Sequence, residues 1–193
     1  RMEGNQTFMR IISGFLKGKK IDFINSKITR PIRNLVKESI FNIILHSNLV
    51  KVNLNSSNVL DLYSGVGSFG LECLSRGAKK VTFVEKDLTA LEVLKKNINN
   101  LKIGNFSEIY PIEISSYIKT FSKEKFDIIF LDPPFAENNC IDDLSAIKET
   151  NMYSKKHLII VHREQKTIEA LKDVLNIIST KNYGRSKIVF GTF

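Results

Sequence analysis

The chain has 193 residues, 42% of them hydrophobic and 25% charged, a composition typical of a globular protein long enough to bury a substantial core. No apolar run approaches the roughly 18 residues that a membrane-spanning helix needs, and the first residues lack the apolar segment of a secretory signal, so a cytoplasmic location is expected. The two cysteines, Cys73 and Cys140, are too few and too scattered for a disulfide framework or a metal cluster.

The net charge of +9 favours polyanions as partners. Between Arg1 and Lys51, ten Lys/Arg against three Asp/Glu carry +7 of that charge. The basic character therefore belongs to the N-terminal quarter.

Residues 1–8 lack periodicity and are expected to be a disordered leader or an expression remnant. From Phe8, FMRII, SGFLKG and KKIDF predict two short strands around a turn bearing Gly14 and Gly18. Arg10 on the first strand and Lys17, Lys19 and Lys20 at the turn can reach a phosphate backbone. The segment ITRPIRNLVKESIFNIILHS predicts a helix that starts near Pro31 and buries Leu35, Val36, Ile40, Phe41, Ile43 and Ile44. Arg30, Arg33 and Lys37 are expected on its exposed N-terminal half. Residues 9–57 thus form a small basic hairpin-helix appendage, joined through a polar stretch to a main unit at 58–193.

From Asn58, strand-like and helix-like segments alternate, which predicts a mostly parallel sheet with helices on both faces. The expected strands are Val59–Leu62, Lys80–Val84, Ser107–Ile112, Asp127–Leu131 and Leu158–His162. Helices are expected at Phe69–Arg76 with Gly77 after it, at Leu88–Asn99 capped by Asp87, at Ser116–Phe121 and near Lys166–Val174. The last runs, Asn176–Thr180 and Ser186–Phe190, leave no room for a helical crossover and should pair antiparallel.

Two motifs carry chemistry. The stretch DLYSGVGSFG ends an apolar strand on a turn with Gly65, Gly67 and Gly70, and Glu85 follows Gly65 by twenty positions, where an acid can hydrogen-bond ribose hydroxyls. This spacing suits a nicotinamide dinucleotide, S-adenosylmethionine, or a purely structural turn. Asp61, four residues before Gly65, would repel a pyrophosphate but attract an ammonium group, which favours the aminoacyl tail of S-adenosylmethionine. The second motif, Asp132-Pro133-Pro134-Phe135, directly follows the apolar run FDIIFL and so belongs to the same rim. An exocyclic amine on a nucleobase is a poor nucleophile, and a carboxylate together with a backbone carbonyl can accept its two N–H bonds and direct its lone pair. Phe135 offers a face for an extruded base. A strand exit with a core phenylalanine is the bland alternative.

DLYSGVGSFGLECLSRGA, VEKD and LDPPF resemble class I S-adenosylmethionine-dependent methyltransferases. MRIISG with KGKKI, TRP followed by VKESIFN, and the closing YGRSKIVF resemble more narrowly the bacterial family that methylates the exocyclic N2 of a guanine in 16S ribosomal RNA. That resemblance implies a Rossmann-like α/β fold whose seven-stranded sheet is mostly parallel with an antiparallel C-terminal strand. It implies S-adenosylmethionine as methyl donor, no metal, and a monomer acting on 16S ribosomal RNA or a partly assembled small subunit. Asp61, Gly65 and Gly67 would line the methionine end of the donor, Glu85 would hold the ribose, and Asp132 through Phe135 would grip the guanine; Tyr63, a strand-end aromatic equally suited to the core, and Lys86 are further candidates for contact with the donor. The position that commonly faces the adenine amine aligns with Glu113, while Leu35 and Ile32 stand where the family often has arginine and threonine. The alternatives are methylation of another planar amine, in a DNA base or a protein glutamine, and a non-catalytic RNA-binding assembly factor.

Overall fold

The computed structural model describes residues 8–24, 32–121 and 123–193. A hairpin of β1 (Phe8–Arg10) and β2 (Lys20–Asp22) comes first, with Phe8 opposite Asp22. Phe8 thus belongs to the hairpin and not to the leader. Helix α1 (Asn34–His46) follows, and from Asn58 strands and helices alternate: β3 (Asn58–Leu62), α2 (Ser68–Ser75), β4 (Lys80–Val84), α3 (Leu88–Leu101), β5 (Ser107–Tyr110), α4 (Ile114–Thr120), β6 (Phe126–Leu131), α5 (Cys140–Thr150), β7 (Tyr153–Glu164), β8 (Asn176–Tyr183) and β9 (Ser186–Thr192).

The sheet order is β5-β4-β3-β6-β7-β9-β8. Strands β3 to β7 pair in parallel, and β9 runs antiparallel to both of its neighbours. The chain leaves β3 toward β4 on one side and returns to β6 on the other, so the order reverses at β3. In open α/β sheets, ligands bind beyond the strands' carboxyl ends at such a reversal.

Side-chain alternation distributes each strand between two cores. Val59, Phe83, Phe130 and Ile160 face the hairpin, α1, α2 and α3, whereas Leu60, Val84, Leu131 and Val161 face α4 and α5. Both sheet faces are therefore covered, which is why these strands read as continuous apolar runs. The hairpin contributes Ile11, Leu16 and Ile21 to the first core, and α1 contributes Val36, Ile40, Phe41 and Ile44.

Three expectations need correction. Helix α5 was not foreseen, although Cys140, Leu144 and Ile147 form its buried face at helical spacing. The expected helix at Lys166–Val174 is only a single 3₁₀ turn, Leu171–Asp173. Ile168 is 98% exposed, so the apolar face begins only at Leu171, which packs with Val174 and Leu175 just past the turn. Lys37 is buried where a solvent-facing cation was expected, because it shares the inward helix face with Phe41 and Ile44, four and seven residues on. Leu35 takes the outward position instead. Arg30 and Pro31 lie outside the described residues. Among the described residues no helix is long and apolar enough to cross a membrane.

Candidate active site

Strand β3 ends in a turn that reverses sharply before α2. Gly67 precedes the helix at φ +91°, and a Cβ there would lie 2.5 Å from Leu94 of α3. Gly70 lets α2 settle against the sheet, since its Cβ would lie 2.4 Å from the Phe83 ring and 2.9 Å from the Asp61 carboxylate. The backbone N–H of Gly70 donates to Asp61 Oδ2 at 3.0 Å, so the acid organises the turn from beneath. Alternation along β3 places Asp61 on the α2 side, where it is 1% exposed.

Glu85 directly follows β4 and ties that strand to the turn. Its carboxylate accepts from the Gly65 N–H at 2.8 Å and from the N–H groups of Lys86 and Asp87 at 2.9 Å. Strand register sets Leu62 beside both Val84 and Leu131, which brings Asp61, Glu85 and Asp132 to one rim. Burial pushes the Asp61 carboxyl well above the ordinary range; the Gly70 N–H opposes this, and the negative charges of Asp132 and Glu85 add to it.

Nearby cations are engaged elsewhere. Lys86 pairs with Glu113 at 3.4 Å and with Glu137 at 3.6 Å, so the two candidate cofactor residues Lys86 and Glu113 hold each other. The Tyr63 side chain, leaving the turn at φ +58°, donates its hydroxyl to Asp143 on α5. Burial, only partly offset by that hydrogen bond, raises the Asp143 carboxyl to about 6.

The loop after β6 presents Asp132, a buried Pro133, Pro134 and a half-exposed Phe135. The Pro134 carbonyl accepts from the Glu137 N–H at 2.9 Å and from Arg163 at 3.4 Å. No donor among the described residues reaches the Pro133 carbonyl. Arg163, fully buried on β7, also donates to the Glu137 carbonyl at 2.9 Å and pairs with Glu169 at 2.9 Å, which fixes the loop from below. His162, beside it, contacts Asp132 Oδ1 through Nδ1 at 2.7 Å and Ser186 Oγ through Nε2 at 2.9 Å.

The structure thus gathers Asp61, Tyr63, Gly65, Gly67, Glu85, Lys86, Glu113 and Asp132–Phe135 at one end of the sheet. Sequence reading took His162 for an ordinary strand residue. The signal was available in the strand order, because pairing FDIIFL with LIIV in parallel makes Asp132 and His162 neighbours just past the last register pair, Leu131 and Val161.

The basic residues gather elsewhere, on the hairpin. Lys17, Lys19, Lys20 and Arg10 are exposed there, and Arg33 is exposed at the start of α1. Lys19 and Lys20 line a 330 Å³ groove against α3, with Lys96 on its far wall.

The family described as conserved hypothetical protein 95 matches residues 9–192. The chain belongs to that family. Among its relatives, the ribosomal RNA small subunit methyltransferase D of Haemophilus influenzae is 37% identical over 159 residues, spanning 81% of this chain and 79% of that protein. The protein of the same name from Buchnera aphidicola subsp. Baizongia pistaciae is 32% identical over 187 residues, spanning 97% and 92%. A solved structure of a conserved hypothetical protein from Streptococcus pyogenes superposes with a TM-score of 0.71 at 28% identity, covering 81% of this chain and 95% of that one. The family match therefore spans both the hairpin-helix segment and the sheet of this chain.

Proposed function

We propose that the chain transfers a methyl group from S-adenosylmethionine to the exocyclic N2 of a guanine in 16S ribosomal RNA. The observation that carries this reading is the rim of three acids, Asp61, Glu85 and Asp132, where burial first and then the charges of Asp132 and Glu85 raise Asp61 while nearby Lys86 is paired away. Such a rim suits a donor bearing a sulfonium and an ammonium, and it would repel a pyrophosphate. The names of the relatives support small-subunit ribosomal RNA as the substrate.

When bound, the donor supplies an electrophilic methyl whose C–S electrons return to sulfur. The residues of this chain do the rest. The turn from Tyr63 to Gly67 and the Glu85 carboxylate hold the donor's two ends. Phe135 receives the extruded guanine by stacking, worth about 1–3 kcal/mol, against an unstacking cost of a few kcal/mol. The open oxygen of Asp132 and the Pro133 carbonyl accept the two N2–H bonds, which directs the nitrogen lone pair at the methyl. As the N–C bond forms, one N2 proton passes to Asp132.

The test is methyl transfer from labelled donor to small subunits from cells that lack the enzyme, with the modified nucleotide mapped; label on a DNA base or a glutamine would overturn the assignment. S-adenosylhomocysteine at 100 times its Kd should stabilise the fold by roughly 2.7 kcal/mol, and a shift with NAD in its place would contradict the donor.

The exposed hairpin lysines supply the contacts to phosphate, which position the RNA without reading its sequence. Neutralising Lys17 or Lys19 should make the salt dependence of RNA binding shallower by about one unit of slope. An unchanged slope places the RNA on another face.

A further inference from the structure

We infer that His162 is a positioning residue for methyl transfer, holding one oxygen of Asp132 so that the other faces the guanine amine. The inference rests on the reading of Asp132 given above. His162 is 7% exposed and its ring is held at both ends, by Asp132 from the loop after β6 and by Ser186 from β9. A carboxylate can only accept, so Nδ1 carries the proton and the neutral ring takes the Ser186 hydroxyl at Nε2. Asp132 is 24% exposed, so its second oxygen stays open to the rim. The Phe135 ring stands edge-on to the imidazole, with centroids 5.8 Å apart. One side chain therefore supports both the acceptor and the stacking platform.

The charged groups around His162 give this arrangement a pH dependence. Burial alone would lower its pKa, but the charge and hydrogen bond of Asp132 outweigh that and leave it raised above 6.5, with Arg163 opposing. Arg163 itself is paired with Glu169. Protonation turns the contact into an ion pair that draws charge from Asp132, so turnover should rise as pH increases through the His162 titration.

Asparagine and glutamine separate positioning from mere packing, because an asparagine amide reaches the place of Nδ1 and a glutamine amide that of Nε2. His162→Gln should lower kcat by about 10- to 100-fold, by analogy with the loss of side chains that orient metal-ligating residues, with KM for RNA unchanged. His162→Asn should recover most of the loss and flatten the pH profile of kcat. Equal losses in the two variants, or wild-type turnover in His162→Gln, would overturn the inference. An NMR titration of the His162 ring, read without substrate, keeps this test apart from the methyl-transfer reading. Asp132→Asn should lower its pKa even if wild-type protein methylates nothing, and an unmoved titration also rejects the role.

Discussion

Asp132→Ala is expected to lower methyl-transfer turnover by about 100-fold or more, the loss seen when a positioned polar group is removed from the transition state, while the affinity for S-adenosylhomocysteine changes little. Asp132 meets no backbone donor of the glycine turn through its side chain. The turn is instead organised by Asp61 and Glu85. On the proposed role, removing the Asp132 carboxylate leaves the glycine turn standing and deletes one acceptor for the substrate amine. A lost acceptor that acts only as the nitrogen becomes pyramidal lowers kcat and kcat/KM together. Asp132→Asn sharpens the test, since its amide can still accept through one oxygen but cannot take the departing proton. Turnover of Asp132→Ala within a few fold of wild type would remove Asp132 from the chemistry. A parallel loss of S-adenosylhomocysteine binding would make it a structural support of the rim.

The sheet was legible because buried parallel strands are short apolar runs and the intervening helices carry caps and a 3.6 period. Asp87, expected to cap α3, does accept from the Ala90 N–H at 2.8 Å, and the two last strands do pair antiparallel. The rim was legible for a related reason: a glycine turn and a Asp-Pro-Pro-Phe loop that both follow apolar strands must lie at the same end of a parallel sheet. Partners supplied by strand order or by distant segments were not legible. His162 reads as one more residue of an apolar run until β6 and β7 are paired. The helix at Cys140–Thr150 has only a narrow apolar face, and its acidic and polar residues disguise it. Lys37 shows the opposite failure, since a charge in a basic segment suggests solvent unless its helical phase against Phe41 and Ile44 is weighed first.

The partner of Lys37 explains why the hairpin and the sheet form a single packed unit, and it leads to the largest stability effect expected. Every residue of α2 is buried, including Glu72. Its carboxylate accepts from the Ile12 and Ser13 N–H groups of the hairpin at 3.0 Å and from Arg76 Nε at 3.0 Å, with Lys37 Nζ at 3.6 Å. Ser75 on the next turn accepts the Leu16 N–H through its hydroxyl at 3.0 Å, and a Cβ on Gly14 would lie 1.8 Å from the Ser75 carbonyl oxygen. The hairpin is thus fastened to the helix that begins at the glycine turn. Glu72→Ala leaves a buried ammonium without its counter-charge and two half-buried N–H groups without an acceptor, and should cost about 3–5 kcal/mol in urea unfolding. Burial already lowers the Lys37 pKa against the opposing pull of Glu72, and without Glu72 it should fall further. A lysine whose folded pKa is depressed is destabilising below that pKa, so the variant should regain stability as pH rises toward the unfolded value near 10.5. Adding Lys37→Met should restore part of the loss at neutral pH by removing the stranded charge. It should not restore all of it, because the hairpin N–H groups and Arg76 still lack their acceptor. A loss below about 1 kcal/mol, the usual worth of an exposed pair, would mean that the hairpin is held by its apolar contacts alone.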